Sequence, residues 1–380
     1  MNAPALPAFE SRLGGCRLLF GAGTLARLGE CARELGGSRV LLVTDPGVQA
    51  AGHAGAAAAA LETAGLEATL FAGVEENPTS RHVQEGVECA RVARADLLVG
   101  LGGGSAMDCA KGINFLLTNG GRMEDYQGRG RAARPFRPSI GIPTTAGTGS
   151  EAQSFALIAR QDSHSKMACG DEKARFRTVI LDPALTASMP RRVTARSGLD
   201  AIGHAVESYV TRHANPLSRL LAQEAWRLLE GSLERVLEAA GDPAARGRML
   251  WGAHLAGAAI ERSMLGAAHA CANPLTARFG LAHGEAVALM LPHVVRFNRP
   301  AVEPLYRELA AVSTNGSGPV DRRIAALRAA AGLPARLQEL QIPRAALPEL
   351  ARAAAREWTA SHNPRPAGAA ELLDLYESAY

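Results

Sequence analysis

Four residues in the C-terminal half of this 380-residue chain have the chemistry to hold a divalent metal ion. In SGLDAIGHAVESY (197–209), Asp200 and His204 stand four apart, which places both on one face of a helix. Alone, the pair reads as a surface ion pair, as an N-terminal cap beside a solvated histidine, or as half of a metal site. HACANPLTARFGLAHG (269–284) adds His269 and His283, and sets Asn273 one helical turn beyond His269. One carboxylate and three imidazoles make an N3O donor set suited to Fe(II) or Zn(II), with room for a substrate oxygen. Spacing along the chain does not by itself bring the four together.

A second informative set lies in the N-terminal half. In GLGGGSAMDCAK (100–111) a strand runs into three consecutive glycines and then a helix. Such a turn lets the backbone approach a ligand closely, and the helix N-terminus, with Ser105 as the expected cap, offers N–H groups to a pyrophosphate. The segment is not GxGxxG, so the standard dinucleotide fingerprint is absent. Asp45 closes an earlier strand as VTD. It reads either as the N-cap of the following helix or as an acceptor for the ribose hydroxyls of an adenosine, which would favour NAD over NADP. IPTTAGTGSEAQSF (142–155) adds hydroxyls from Thr144, Thr145, Thr148 and Ser150 on a loop leaving a strand.

The elements that must position these residues change character near residue 187. Before it, strands at 39–45, 67–74, 96–104, 139–145 and 177–183 alternate with helical stretches at 46–65, 80–95 and 105–119, the pattern of βαβ units and a parallel sheet. After Pro190 the apolar residues follow a 3.6-residue period. The expected architecture is therefore an α/β dinucleotide-binding domain over 1–187 and an all-helical, metal-binding domain over 188–380, with an active site in the cleft between them. Hydrophobic residues are 47% and charged residues 21% of the chain, and the net charge of +4 is mild and scattered; these values argue against nucleic-acid binding. No apolar run reaches the ~18 residues of a membrane span, and the first fifteen residues lack the regions of a signal peptide. Six cysteines without a CxxC pair point to reduced thiols and a cytoplasmic protein.

GGGSAMDCAK (102–111), IPTTAGTGSE (142–151), ILDPALTASMP (180–190), GLDAIGHAVESY (198–209) and the two-histidine stretch ending in HG occur in one order. Together they resemble the iron-containing alcohol dehydrogenase family, on the dehydroquinate synthase-like fold, over essentially the whole chain. The resemblance implies Asp200, His204, His269 and His283 as metal ligands. It also implies that Asp45, Asn77, Gly103, Gly104, Ser105, Thr144, Thr145, Thr148, Gln153, Phe155, Lys166 and Leu185 contact a nicotinamide dinucleotide, and that the chain forms a homodimer. It fails at Asn273, where most relatives carry a histidine assigned to proton transfer or substrate positioning. Asparagine hydrogen-bonds but does not titrate. Ile260 and Arg262 also depart from the common aromatic and asparagine.

The expected activity is hydride transfer between NAD(H) and a small alcohol or aldehyde, with Fe(II) or Zn(II) polarising the substrate oxygen. A glycerol-dehydrogenase-like enzyme is one alternative, although its relatives use fewer metal histidines. A dehydroquinate-synthase-like lyase would need a basic phosphate pocket around its substrate, and no Lys/Arg cluster lies near the metal histidines in sequence. A non-catalytic NAD-binding protein would have little reason to keep four ligands.

Overall fold

The computed structural model describes residues 5–13, 15–162, 165–314, 316 and 318–380. The chain divides into two compact units, one made of Ser150–Met189 with the described part of Met1–Thr145, the other of Ala146–Gly149 and Pro190–Tyr380.

Among its described residues the first unit contains ten strands. They are β1 (Phe9–Leu13), β2 (Cys16–Phe20), β3 (Arg39–Val43), β4 (Glu67–Phe71), β5 (Leu97–Gly102), β6 (Gly128–Arg129), β7 (Ser139–Pro143), β8 (Phe155–Ala159), β9 (Lys166–Gly170) and β10 (Thr178–Leu181). Its helices are α1 (Leu28–Glu34), α2 (Pro46–Ala50), α3 (His53–Thr63), α4 (Ser80–Val92) and α5 (Gly104–Asn119). Seven strands form one sheet in the order β1-β2-β10-β7-β5-β3-β4. Every pairing in it is parallel except β1 with β2. The apolar runs are nearly continuous because both faces of the sheet are covered. On β3, Val40 and Leu42 pack with Ala54, Ala57 and Leu61 of α3, while Leu41 and Val43 pack with Val83 and Val87 of α4 and Ile113 of α5.

Three features depart from the sequence reading. The antiparallel β1 has only two apolar residues in FESRL, so neither periodicity nor propensity marks it. A small sheet, β6-β9-β8, also went unread: β6 is only two residues long, and β8 (FALIA) and β9 (KMACG) are short apolar runs with no alternation to mark them. The stretch 46–65 is two helices rather than one, broken at Gly52, whose φ of 83° is left-handed.

The second unit is helical among its described residues: α6 (Arg191–Val210), α7 (Pro216–Glu230), α8 (Leu233–Glu238), α9 (Pro243–Ile260), α10 (Ala267–Phe279), α11 (His283–Ala311), α12 (Val320–Ala330), α13 (Leu347–Ala354) and α14 (Ala369–Ser378), joined by short 3-10 turns. Helix α6 is buried continuously from Gly198 to Val210 and packs against α7, α9 and α11. A stripe buried on every side must either be apolar or satisfy its polar groups internally. Yet it carries Asp200, His204 and Glu207. Among the described residues, no helix is long and apolar enough to cross a membrane.

Candidate metal centre and nucleotide turn

Asp200 and His204 lie on α6, His269 is the third residue of α10, and His283 is the first residue of α11. Two glycines let these helices approach one another. A Cβ on Gly203 would fall 2.7 Å from Val287 Cγ1 of α11, and one on Gly284 would overlap the carbonyl of Arg196 on α6. Glu285, buried in the first turn of α11, forms an ion pair with Arg196, which fastens that helix end to α6. The structure brings the four residues together. Nε2 of His204, His269 and His283 lies 3.6, 3.5 and 3.8 Å from one atom, Oδ1 of Asp200.

Those separations are too long for hydrogen bonds. They suit ligands around one ion, since donors at 2.0–2.2 Å from a zinc-type metal stand roughly 3.4 Å apart in a tetrahedron. Donor atoms of Asp200, His269 and His283 all lie within 4.8 Å of one another. His204 joins them by stacking on His269, with ring centroids 4.9 Å apart and planes at 19°. Asp200 is 5% exposed and His269 3%, whereas the His283 side chain is 24% exposed, so the cluster is deep on three sides and accessible on the fourth. Asp200 Oδ1 and His269 Nε2 are buried with no hydrogen-bond partner. Two orphaned buried groups facing each other are costly unless something satisfies both, and a divalent cation fits that donor set.

The electrostatics point the same way. Burial alone would raise the Asp200 carboxyl, but the imidazoles around it, His204 foremost, hold it well below the usual carboxylate range. Burial pushes His204 down. It acts on His269 too, yet the Asp200 and Glu207 carboxylates beside that ring carry it up to about 9. The site attracts positive charge.

Glu207 escaped the sequence reading. It is 3% exposed and accepts from Gly266 N at 3.0 Å and from Ala268 N at 2.7 Å, and its Oε2 lies 2.6 Å from His269 Nδ1. It therefore fixes the ring that presents Nε2 to Asp200, the usual arrangement of a carboxylate behind a metal histidine. It also stands in for the cap that α10 lacks: Gly266 has no side chain to supply one, and Asn363 Oδ1 takes the N–H of Ala267. The signal was available, since Glu207 follows Asp200 by seven residues and so shares its helix face.

Asn273 lies one turn beyond His269 as expected, and its Nδ2 donates to Glu357 Oε2 at 2.8 Å. Arg262 folds back so that Nη1 donates to the carbonyl of Ala258.

In the first unit, the chain passes from β3 outward to β4 and then returns to β5 on the other side of β3. That reversal makes the carboxyl ends of β3 and β5 a topological switch point, where open α/β sheets bind ligands. Asp45 follows β3 and the glycine turn follows β5. Asp45 Oδ1 accepts from Val48 N at 2.9 Å and caps α2, so the capping reading is realised. Its Oδ2 lies 3.1 Å from where a Cβ on Gly102 would stand, which brings the two elements into one place. Ser105 is not the cap of α5. The N-cap is Gly103, the helix starts at Gly104, and no side chain caps it, so the first N–H groups stay available to an anion. Thr144 N donates to Gly102 O at 2.9 Å, and the Thr145 side chain lies against Gly103.

The remaining candidates are spread along this unit. Asn77 holds a left-handed φ of 56°, Phe155 and Lys166 open β8 and β9, Gln153 donates its N–H to Ser150 O, and Leu185 sits in the core beneath the sheet. Thr148 belongs to the segment 146–149 of the second unit. A buried Lys111, also unread in the sequence, donates to Ser150 O, Ser150 Oγ and Phe155 O, while Ser150 Oγ donates to Asp108 at 2.5 Å. This cluster ties the end of the threonine-rich segment to α5.

Comparison with known proteins places the chain. Residues 16–183 match the model of the iron-containing alcohol dehydrogenases, and residues 194–380 match that of the C-terminal domain of the Fe-containing alcohol dehydrogenase family. The chain belongs to the iron-containing alcohol dehydrogenase family, and it is an oxidoreductase of the alcohol and aldehyde class. It is 33% identical over 372 residues to the 1,3-propanediol dehydrogenase of Citrobacter freundii, covering 95% of this chain and 96% of that one. The crystal structure of a 1,3-propanediol oxidoreductase superposes with a TM-score of 0.93 at 30% identity, covering 99% and 100% of the two chains. The sulfoacetaldehyde reductase of Bifidobacterium kashiwanohense, solved in complex with NAD+, superposes with a TM-score of 0.89 at 26% identity, over 98% of each chain.

Proposed function

We propose that this protein transfers a hydride between NAD(H) and a small alcohol or aldehyde, using a divalent ion of the iron type held by Asp200, His204, His269 and His283. The observation that carries the reading is the convergence of three imidazole nitrogens on Asp200 Oδ1 at 3.5–3.8 Å, with Oδ1 and His269 Nε2 both lacking another partner. Bound there, the ion supplies a Lewis acid for the substrate oxygen. Zn(II) competes well for such a set, so either metal fits it. Glu207 holds His269 in the tautomer with Nε2 free. Asn273 orients substrate or cofactor and passes no proton, because its amide does not titrate.

In the sheet unit we assign the pyrophosphate to the uncapped N-terminus of α5 at Gly103, Gly104 and Ser105, and the ribose hydroxyls to Asp45, whose charge would repel a 2′-phosphate. Asn77, Thr144, Thr145, Gln153, Phe155, Lys166 and Leu185 of this unit, with Thr148 of the second, complete the proposed nucleotide contacts. The division of labour follows the expected domains: 1–187 for the nucleotide, 188–380 for the metal. NAD+ in the sulfoacetaldehyde reductase supports the choice of cofactor. Six free cysteines support a cytoplasmic setting, and a homodimer rests on the family resemblance.

Turnover of a panel of alcohols and aldehydes, followed by NADH absorbance with Fe(II)- or Zn(II)-loaded protein and repeated with NADP(H), tests the assignment. Asp200→Ala and His269→Ala each remove a direct ligand. Both should abolish stoichiometric metal and lower turnover by more than about 100-fold, beyond the loss expected for an outer partner. Full metal occupancy in both variants would refute the assignment.

A further inference from the structure

A cavity of about 430 Å³ opens in the helical unit between α11, the end of α12 and the end of α14. His293 and Arg296 of α11 line it, ten and thirteen residues past His283, roughly 15–20 Å along the helix from the metal centre at 1.5 Å per residue. Arg328 of α12 and Arg336 contribute two further guanidinium groups. Arg328 is the unusual one. It is only 9% exposed, and its Nε and Nη1 are buried with no hydrogen-bond partner. An arginine stripped of water without a counter-charge is strongly unfavourable. Burial draws its guanidinium below its ordinary pKa; Glu339 opposes that and Arg296 adds to it.

The other charged groups on the cavity wall are already committed. Arg296 Nη1 lies 3.5 Å from Asp321 and its Nη2 3.0 Å from His293 Nδ1. Glu377 is held by Arg344 at 2.6 Å. His293 is pushed down to about 4 by burial, Arg296 and Arg328, so it is neutral, with Nδ1 accepting from Arg296 Nη2 and lying 2.9 Å from Ser378 Oγ. What remains is a buried guanidinium countered only in part by Glu339, with Arg336 and the Asp321-paired Arg296 beside it on the wall of a space large enough for a small ligand.

We propose that this cavity is a second binding site, distinct from the metal centre, for an oxyanion of the phosphate class. The planar fork of an arginine matches the oxygens of such an anion two at a time. Two guanidiniums, Arg328 and Arg336, with the partly engaged Arg296 beside them, suit a dianionic tetrahedral group better than a single carboxylate. The volume leaves room for a small organic body on the phosphoryl group, so the shared chemistry covers inorganic phosphate and phosphate monoesters.

Isothermal titration of inorganic phosphate, and separately of methyl phosphate, into zinc-loaded protein with NADH present tests the site. Ionic strength is held constant with chloride. The parent should bind one equivalent of phosphate, and the tighter of the two probes tells whether the site takes the free anion or the ester. Arg328→Met keeps the packing volume and should weaken binding at least tenfold. Arg336→Met, at an exposed position, should weaken it severalfold and covers the case in which the first variant fails to fold. Arg91→Met on α4 should leave binding unchanged. Equal binding in the parent, Arg328→Met and Arg336→Met would reduce the effect to an adventitious ion only, and that result, like no binding at all, overturns the proposal. Neither outcome touches the metal-dependent activity, which is read separately.

Discussion

At Asn273 the chain puts an amide where the family resemblance leads one to expect an imidazole, and that amide is held in place: Nδ2 donates to Glu357 Oε2 at 2.8 Å. An asparagine so anchored keeps its carbonyl oxygen in one orientation, which suits positioning. It cannot buffer a proton. The proton released on alcohol oxidation therefore leaves by another path. Asn273→His would place an imidazole, with an ordinary pKa of about 6.5, next to the Glu357 carboxylate, and an opposite charge at that range raises an imidazole further. The variant should gain a limb in its pH–turnover profile at or above neutrality that the parent lacks, measured where chemistry limits the rate. Asn273→Ala should raise KM and lower turnover without altering the shape of the profile. A neutral-pH limb already present in the parent and lost in Asn273→Ala would show that proton transfer does run through this position.

At the scale of elements, the proposed metal site depends on two helix starts, those of α10 and α11, and on the middle of α6, and Glu207 joins α6 to α10. Its carboxylate caps α10 through Gly266 N and Ala268 N and aligns His269 through Nδ1. Glu207→Gln keeps the size but removes the charge, and its amide no longer accepts at both oxygens. Metal affinity, read by competition with a chromogenic chelator, should fall by about 10- to 100-fold, while the helical content by circular dichroism stays near that of the parent. Unchanged affinity would mean that Glu207 serves only the helix end. That residue also marks how far the sequence could be read. The βαβ alternation, the glycine turn and the Asp200–His204 spacing are local patterns, and each survives in the structure. What was not legible depended on partners far along the chain. The cap of α10 comes from a side chain 59 residues earlier than Gly266, and the cap assigned to Ser105 falls two residues earlier, on Gly103, because the helix begins inside the glycine run at Gly104. The strand β1 has too few apolar residues to show a period, and its partner β2 supplies the reason it is a strand at all.

For the whole molecule, the proposed chemistry is divided between the two units. All four metal candidates and Glu207 lie in the helical unit, whereas Asp45 and the glycine turn lie in the sheet unit. A ligand stabilises the state that binds it by RT ln(1 + [L]/Kd), about 4 kcal/mol at a thousandfold excess over Kd. The ion can deliver this only where its donors are. Without it, the unpartnered Asp200 Oδ1 and His269 Nε2 stay buried at the junction of α6, α10 and the start of α11, and local opening of those segments becomes easier. Removing the metal with a chelator should therefore speed amide hydrogen exchange in α6, α10 and the first turns of α11. The central strands β3, β5 and β7 should keep their protection, and NAD(H) should show the opposite preference, slowing exchange at the end of β5 and the first turn of α5. Mass-spectrometric exchange on peptides from each unit measures both effects in one protein. Loss of protection in the sheet strands equal to that in α6 on chelation would show that the metal stabilises both units, and that the energetic division drawn from the donor positions is wrong.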